Sequence, residues 1–317
     1  MNVSRQHIVA AAIVRDGRVL LARRHVDAHQ GGLWEFPGGK VERAEDARSA
    51  LARELDEELG IKLESARPLI AVPHDYSDKS ILLDVWRVDG FSGEAHGREG
   101  QLVTWVVINE LQQHDFPRAN LPVISAMQLP AHYLITPDPV KEDGQFLKRL
   151  ELSLQAGVRL VQLRAKSLAR EEYCVLATEV KALCHRYEAQ LLLNGTADMV
   201  VEVGADGLHL SARELSSLGR RPLGGAYKLS ASCHDAAELK RASDVGVDFV
   251  VLSPVMPTNT HPGAEPLGWQ QFESLLEASP VPVYALGGMA LSDLVTAQGA
   301  GAQGLAAIGA LWNLEAL

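Results

Sequence analysis

The sequence predicts an α/β chain of two domains, a mixed-sheet unit followed by a closed (β/α)8 barrel. Three observations carry this. The 317 residues amount to about twice an ordinary domain. The texture changes near residues 128–131, from strand-like stretches around one strongly helical segment to strands and helices in alternation. Eight of the later strands are short, mostly continuous apolar runs, as strands covered on both faces require. An open doubly wound sheet shares the alternation and is the second architecture consistent with it. The domains are therefore drawn at 1–129 and 131–317.

In the first domain, residues 8–14 and 19–22 flank Arg15-Asp16-Gly17-Arg18, whose Asp-Gly is a hairpin turn signal. Residues 81–88 and 102–107 are rich in β-branched and aromatic side chains and read as strands. Between them, residues 45–59 have helical spacing, with Ala47, Ala50, Leu51, Leu55 and Leu59 along one apolar stripe and Gly60 as the stop. The second domain reads as strands at 133–136, 160–163, 191–194, 207–210, 229–232, 249–253, 283–286 and 304–308. Helical patterns at 146–156, 170–186 and 267–277 fall between them.

Composition narrows the function. With 30 basic and 40 acidic residues the net charge is −10, the wrong sign for a sequence-independent grip on a nucleic acid polymer. A small phosphorylated ligand remains compatible, because a metal ion can supply positive charge. Cys174, Cys184 and Cys233 are too few and too scattered for a disulfide framework or a CxxC site, and read as core residues in a reducing cytoplasm. No apolar run reaches the ~18 residues of a membrane span, and residues 1–7 lack the apolar stretch of a signal peptide. Trp86, Trp105 and Trp269 read as packing residues.

The chemistry concentrates between Gly38 and Ile61. Glu54, Glu57 and Glu58 sit at i, i+3 and i+4, so a helix stacks them on one face. Like charges so placed repel, and a hard dication coordinating their oxygens would offset that cost. Gly38-Gly39 permits a close backbone approach, so a peptide carbonyl can join the coordination. Arg53 can orient neighbouring carboxylates through its bidentate fork.

The full pattern resembles the Nudix box. Gly39, Glu45, Arg53, Glu54, Leu55, Glu57, Glu58, Gly60 and Ile61 fill its specified positions, a coincidence expected on the order of once in 10⁸ starts. The resemblance covers about residues 5–129 and is to the MutT branch, the 8-oxo-dGTP diphosphatases. It includes Leu21-Ala22-Arg23-Arg24, Asp27-Ala28-His29, Trp34-Glu35-Phe36-Pro37-Gly38-Gly39-Lys40, Gly97-Arg98-Glu99-Gly100-Gln101 and residues 115–124. It implies an α/β/α sandwich with a mixed sheet. It also implies Mg²⁺, with Mn²⁺ as substitute, on the Gly38 carbonyl, Glu54, Glu57, Glu58 and Glu99. Arg53 would orient the catalytic carboxylates, and Glu54 or Glu99 would take the proton of the attacking water.

In that branch attack falls on the β-phosphorus, giving monophosphate and pyrophosphate, a nucleotide-pool function in DNA repair. Asn120 would read the O6/N7 edge of the oxidised purine, and Arg24 and Phe36 would line the base pocket. Tyr76 and Lys79 stand where the family has phenylalanine and arginine. Lysine lacks the planar fork, which implies looser base selectivity.

Residues 132–315 resemble thiamine phosphate synthase and its relative, the thiazole tautomerase. The matching segments include 133–136, 162–166, 205–210, 230–234, 253–260 and 285–289, at the carboxyl ends of the expected strands. The resemblance implies that Gln162, Arg164, Lys166 and Asn194 hold a pyrimidine diphosphate. Ser232 and His234 fall at the same rim, and Thr258, Thr260 and the Gly287-Gly288 amides would hold a phosphate.

Four departures weigh against synthase activity. Gly195 stands where the family has a metal-binding Asp, Glu214 where it has another, His261 where it has a lysine, and Ala306 or Ala307 where it has a serine. Three outcomes stay open for the barrel: a working synthase, proton transfer on a thiazole carboxylate by His234, or a thiamine-precursor-binding or purely structural barrel. Residues 310–317 are short for a closing helix. The expectation is an apolar edge near Leu311 and Trp312 that packs on the first domain or on another chain, which would make a homo-oligomer.

Overall fold

A computed structural model describes residues 5–27, 30–141, 144–258, 263–277, 279–314 and 317. Ala28, His29, Thr260, His261, Glu315 and Ala316, which fall in segments discussed above, lie outside the described residues. The chain divides into two compact units, one of Met1–Gln128 with Glu277–Pro280 and one of Leu129–Leu276 with Val281–Leu317.

The first unit is a mixed sheet. Its strands are β1 (Gln6–Arg15), β2 (Arg18–Arg23), β3 (Trp34–Glu35), β4 (Gly38–Lys40), β5 (Lys62–Asp75), β6 (Ser80–Ser92) and β7 (Val103–Val107). The order is β3-β2-β1-β6-β5, with β4 on β1 and β7 on β2. β1 runs parallel to β6 and antiparallel to β2 and β4.

Alternation along β1 puts Val9, Ala11 and Ile13 on one face and Ala10 and Ala12 on the other. Each face receives a helix. The first carries α1 (Ala47–Leu59) through Ala50, Leu51, Leu55 and Leu59, and the second carries α2 (Leu121–Gln128) through Val123, Ile124, Ala126 and Met127. Asp46 caps α1 by accepting from the Ser49 amide at 3.0 Å, and Gly60 ends it in the left-handed conformation (φ 70°).

β5 has no counterpart in the sequence reading, because Pro68 and Pro73 argue against a strand. It lies at the end of the sheet, and its register against β6 shifts near Ser65 and at Pro68/Ile70. An edge position with bulges is where prolines are tolerated.

The second unit is a closed parallel barrel, so the open-sheet alternative is excluded. Its strands are β8 (His132–Ile135), β9 (Leu160–Leu163), β10 (Gln190–Leu193), β11 (Gly207–Leu210), β12 (Lys228–Cys233), β13 (Phe249–Leu252), β14 (Val283–Leu286) and β15 (Gly304–Ala307). The helices are α3 (Phe146–Gln155), α4 (Arg170–Arg186), α5 (Ala197–Val203), α6 (Ala212–Ser217), α7 (Ala236–Val245), α8 (Gly268–Leu276) and α9 (Leu294–Gly299).

Strand residues alternate between two cores. Leu134, Val161, Leu163, Leu191 and Leu193 pack outward in the larger one. Tyr133, Leu160, Leu192, Phe249, Val251, Tyr284 and Ala306 fill the interior. The rings of Tyr133, Phe249 and Tyr284 meet at centroid distances of 5.4–5.6 Å and plug the barrel.

The expected uncovered edge near Leu311 and Trp312 is corrected here. Leu311 is fully buried, and the Trp312 ring lies 5.1 Å from that of Phe146 on α3. The Asn313 amide donates to Ser153 Oγ at 3.0 Å. The barrel's own first helix covers the patch, which removes the reason for seating a second chain on it.

Because Leu55 is fully buried between α1 and the sheet, Leu55→Ala should destabilise the first unit by about 3 kcal/mol. Urea denaturation measures this, and a change near zero would show that α1 is not anchored through this residue.

Candidate functional site

The acidic site forms where β4 meets α1. Pairing of Val9 with Gly39 and Ala10 with Gly38 holds the bend against β1. A Cβ on Gly39 would stand 2.3 Å from the Glu54 carboxyl carbon, so glycine is what lets that carboxylate lie against the backbone.

Arg53 ties the helix face together. It donates to Glu45 through Nε (3.1 Å) and Nη2 (3.0 Å), and to the Lys40 carbonyl through Nη2 (3.0 Å). Its Nη1 bridges Glu54 (2.8 Å) and Glu57 (3.2 Å). Glu58 turns the other way and accepts from the Gly38 amide at 3.0 Å. Burial pushes the Glu58 carboxyl up to about 8 against the pull of that amide, and the charges of Glu35, Glu54 and Glu99 add to the rise.

Glu99 arrives on a loop docked at the end of α1. The Arg98 amide and Gln101 Nε2 both donate to the Glu58 carbonyl (2.9 and 3.1 Å), while Gln101 Oε1 accepts from the Glu99 amide at 2.9 Å. Arg98 also reaches the Asp56 carbonyl at 2.8 Å. Arg98, Gln101 and Glu35 had no part in the sequence reading beyond their places in matching segments. Their proximity to Glu58 is a matter of tertiary approach.

The donor set is chemically suited to a hard dication: carboxylates on one helical turn, a backbone bend beside them, and one desolvated carboxyl short of positive charge. Among the described residues, however, no three His, Cys, Asp or Glu side chains are arranged to hold a metal ion. Arg53 holds Glu54 and Glu57, and the Gly38 amide holds Glu58.

A second cluster gathers Arg24, Phe36, Tyr76 and Asn120. Arg24 is ion-paired to Glu35, whose carboxyl is raised by burial despite that partner. Phe36 is 3% exposed and stacks on Phe116 at 5.9 Å. The Tyr76 hydroxyl is raised by burial and meets the Ala119 backbone, next to Asn120. Asn120 is 7% exposed, and its side-chain amide has no hydrogen-bond partner among the described residues. Lys79 adjoins this group: its Nζ lies over the Tyr76 ring, 6.0 Å from the centroid, and its carbonyl accepts from the Tyr76 amide at 2.8 Å.

In the barrel, the last inward residue of each strand forms the floor of a cavity of about 720 Å³. Ile135, Gln162, Asn194, His209, Ser232, Ser253, Leu286 and Ile308 come one from each of the eight strands or the residue after it. Arg164, Lys166, Arg213, His234, Thr258 and Gly288 stand around them. Every barrel residue given a ligand-binding role from sequence, except Thr260, which lies outside the described residues, therefore lines one space. Ala306 and Ala307 line it too.

Glu214, one of the departures from the family pattern, does not. Its Oε2 accepts from the Ser211 amide and hydroxyl, both at 2.7 Å, capping α6. His234 Nδ1 pairs with Glu238 at 2.8 Å.

His209 entered the sequence reading only within the matching segment 205–210. It is buried, with Nδ1 2.7 Å from Ser230 Oγ and Nε2 2.9 Å from Ser232 Oγ, and Gln162 donates to the adjoining Tyr133 hydroxyl at 3.1 Å.

Comparison with known proteins covers both units. A model of the thiamine monophosphate synthase family matches residues 132–311, and a model of the NUDIX domain matches residues 9–126. The chain is 38% identical over 182 residues to a putative thiamine-phosphate synthase 2 of Aquifex aeolicus, spanning 57% of this chain and 97% of that protein. It is 41% identical over 119 residues to the CTP pyrophosphohydrolase of Escherichia coli, spanning 38% of this chain and 88% of that protein. A solved MutT structure, from work on the Aliivibrio salmonicida and Vibrio cholerae proteins, is 38% identical with a TM-score of 0.35, covering 39% of this chain and 97% of that one.

Burial lowers His209 from 6.5 to about 3. The folded barrel thus keeps the ring neutral where the unfolded chain protonates it, so the unfolded state binds the extra proton between these values. The stability due to neutral His209 should be complete above pH 6.5 and decline as pH falls toward 3. Urea midpoints at several pH values test this: His209→Gln should flatten the acid limb of the barrel transition. An unchanged slope would mean that the ring is not buried neutral.

Proposed function

As the chain belongs to the NUDIX family through residues 9–126 and to the thiamine monophosphate synthase family through residues 132–311, we propose that its first unit is a Mg²⁺-dependent nucleoside triphosphate pyrophosphohydrolase acting on 8-oxo-dGTP. The observation that carries this is the row of carboxylates on one helical turn, with Glu54 and Glu57 bridged by Arg53 and Glu58 desolvated beside the Gly38 amide. The Gly38 carbonyl with Glu54, Glu57, Glu58 and Glu99 would hold the ion. Bound there, Mg²⁺ supplies charge neutralisation for the triphosphate oxygens and acidifies the attacking water.

The chain's own groups do the rest. Arg53 fixes the direction of the Glu54 carboxylate. Glu54 or Glu99 takes the proton of the water that attacks the β-phosphorus, releasing monophosphate and pyrophosphate. Asn120, buried and with no side-chain hydrogen-bond partner among the described residues, reads the base edge. Its amide oxygen accepts from the N7–H of the oxidised purine, where normal guanine presents a lone pair. Arg24 and Tyr76 wall the base, with Phe36 beneath them in the core. The cysteines are free, and no described helix is long and apolar enough to cross a membrane, which suits an enzyme of the cytoplasmic nucleotide pool.

A second substrate reading has support from the Escherichia coli relative, whose name specifies CTP. It is also favoured by the lysine at position 79, which leaves base selectivity less constrained. The barrel is read as a binding module for a phosphorylated thiamine precursor.

A screen of nucleoside triphosphates measuring pyrophosphate release should give the highest kcat/KM with 8-oxo-dGTP, and a higher value with CTP would move the assignment to the pyrimidine reading. Glu57→Gln should reduce kcat by about a thousandfold with the fold retained. Near-normal turnover in that variant would remove the metal-site assignment.

A further inference from the structure

The barrel cavity carries charge of one sign. Its described lining includes Arg164, Lys166 and Arg213 and no aspartate or glutamate. The four residues that follow Thr258 in sequence, Asn259-Thr260-His261-Pro262, contain no carboxylate either.

The acidic residues close to the lining in sequence are engaged elsewhere. Asp138 accepts from the Ser167 amide at 3.2 Å and from its hydroxyl. Glu214 caps α6 through Ser211, and Glu238 accepts from the His234 amide at 2.7 Å. A divalent cation needs several anionic or carbonyl oxygens, and those it shares with a phosphate are too few to hold it without protein carboxylates. The family chemistry, in which a departing diphosphate is balanced by a metal ion, does not fit these residues.

Arg213 is what the cavity has in addition. It is the second residue of α6, it is exposed, and its guanidinium makes no ion pair or hydrogen bond with the described residues. With Arg164 and Lys166 it brings three cations to one space, enough to meet a phosphate directly through charge-assisted hydrogen bonds. The rest of the floor suits an organic body. Ile135, Leu286, Met289 and Ile308 are apolar, and Gln162, Asn194 and Ser232 offer neutral polar groups.

We infer that the barrel cavity binds an organic phosphate as the bare anion, without a divalent cation, and that Arg213 supplies the positive charge a metal would otherwise bring. This rests on the reading of the barrel as a site for a phosphorylated ligand. It goes beyond that reading in naming the charge state of the ligand and the residue responsible.

The test is titration calorimetry of the full chain with inorganic pyrophosphate, in EDTA and in Mg²⁺. Heat that disappears in Lys166→Ala is assigned to the barrel. The expected result is barrel binding in EDTA that weakens by about tenfold or more in Arg213→Glu and is largely retained in Arg213→Lys. Barrel binding that requires Mg²⁺ and ignores Arg213→Glu would overturn the inference while leaving the phosphate site standing. Absence of any Lys166-dependent heat in either buffer would sink the site and the inference together.

Discussion

The first unit depends on one electrostatic constraint: several carboxylates are held on one turn of one helix, and a single guanidinium keeps them compatible. Glu45, Glu54 and Glu57 all bind Arg53. Such a face is self-repelling without a counter-charge, so the helix bearing it must be anchored by other means. The opposite face does this through Ala50, Leu51, Leu55 and Leu59, all fully buried. Stability and chemistry are thereby separated on the two sides of α1. Glu58 is the exception, since it is the carboxylate that the fold partly withdraws from water, and its proton affinity rises accordingly.

The barrel divides its labour along the strands instead of across a helix. Its lower interior is an aromatic and aliphatic plug, and Tyr284 satisfies its hydroxyl by donating to the Pro130 carbonyl at 2.6 Å. One inward step further along the strands, the residues turn polar and the plug becomes a cavity floor. His209 sits at that transition, hydrogen-bonded on both ring nitrogens to serines of β12. It therefore keeps Ser232 in place beneath any bound molecule without carrying charge itself. The same period of two that buries Tyr133 and Leu192 also decides which side chains meet a ligand.

Much of this was legible before any coordinates. The eight barrel strands were readable as apolar runs, because burial on both faces erases the polar alternation that would confuse the signal. The helix 45–59 and its buried stripe were readable because charge and apolarity separate cleanly on it. β5 was not, since its prolines are permitted only by an edge position that sequence does not reveal. Site residues were legible where they fall in a tight local pattern, as Glu54, Glu57 and Glu58 do. Arg98, Gln101 and Glu35 act on Glu58 from distant segments, and local spacing holds no trace of that. Glu214 and Trp312 show the converse. Each looked available in sequence, and each is occupied by a neighbour on its own barrel.

β5 carries one further consequence. It is the outermost long strand of the sheet, and a terminal strand invites unpaired chains to extend the ladder. Pro68 and Pro73 have no amide hydrogen to offer, and the register shifts at Ser65 and Pro68 twist the ribbon away from a flat template. The same irregularity that hides this strand from a reader of the sequence also breaks up the straight row of donors that a flat terminal strand would present.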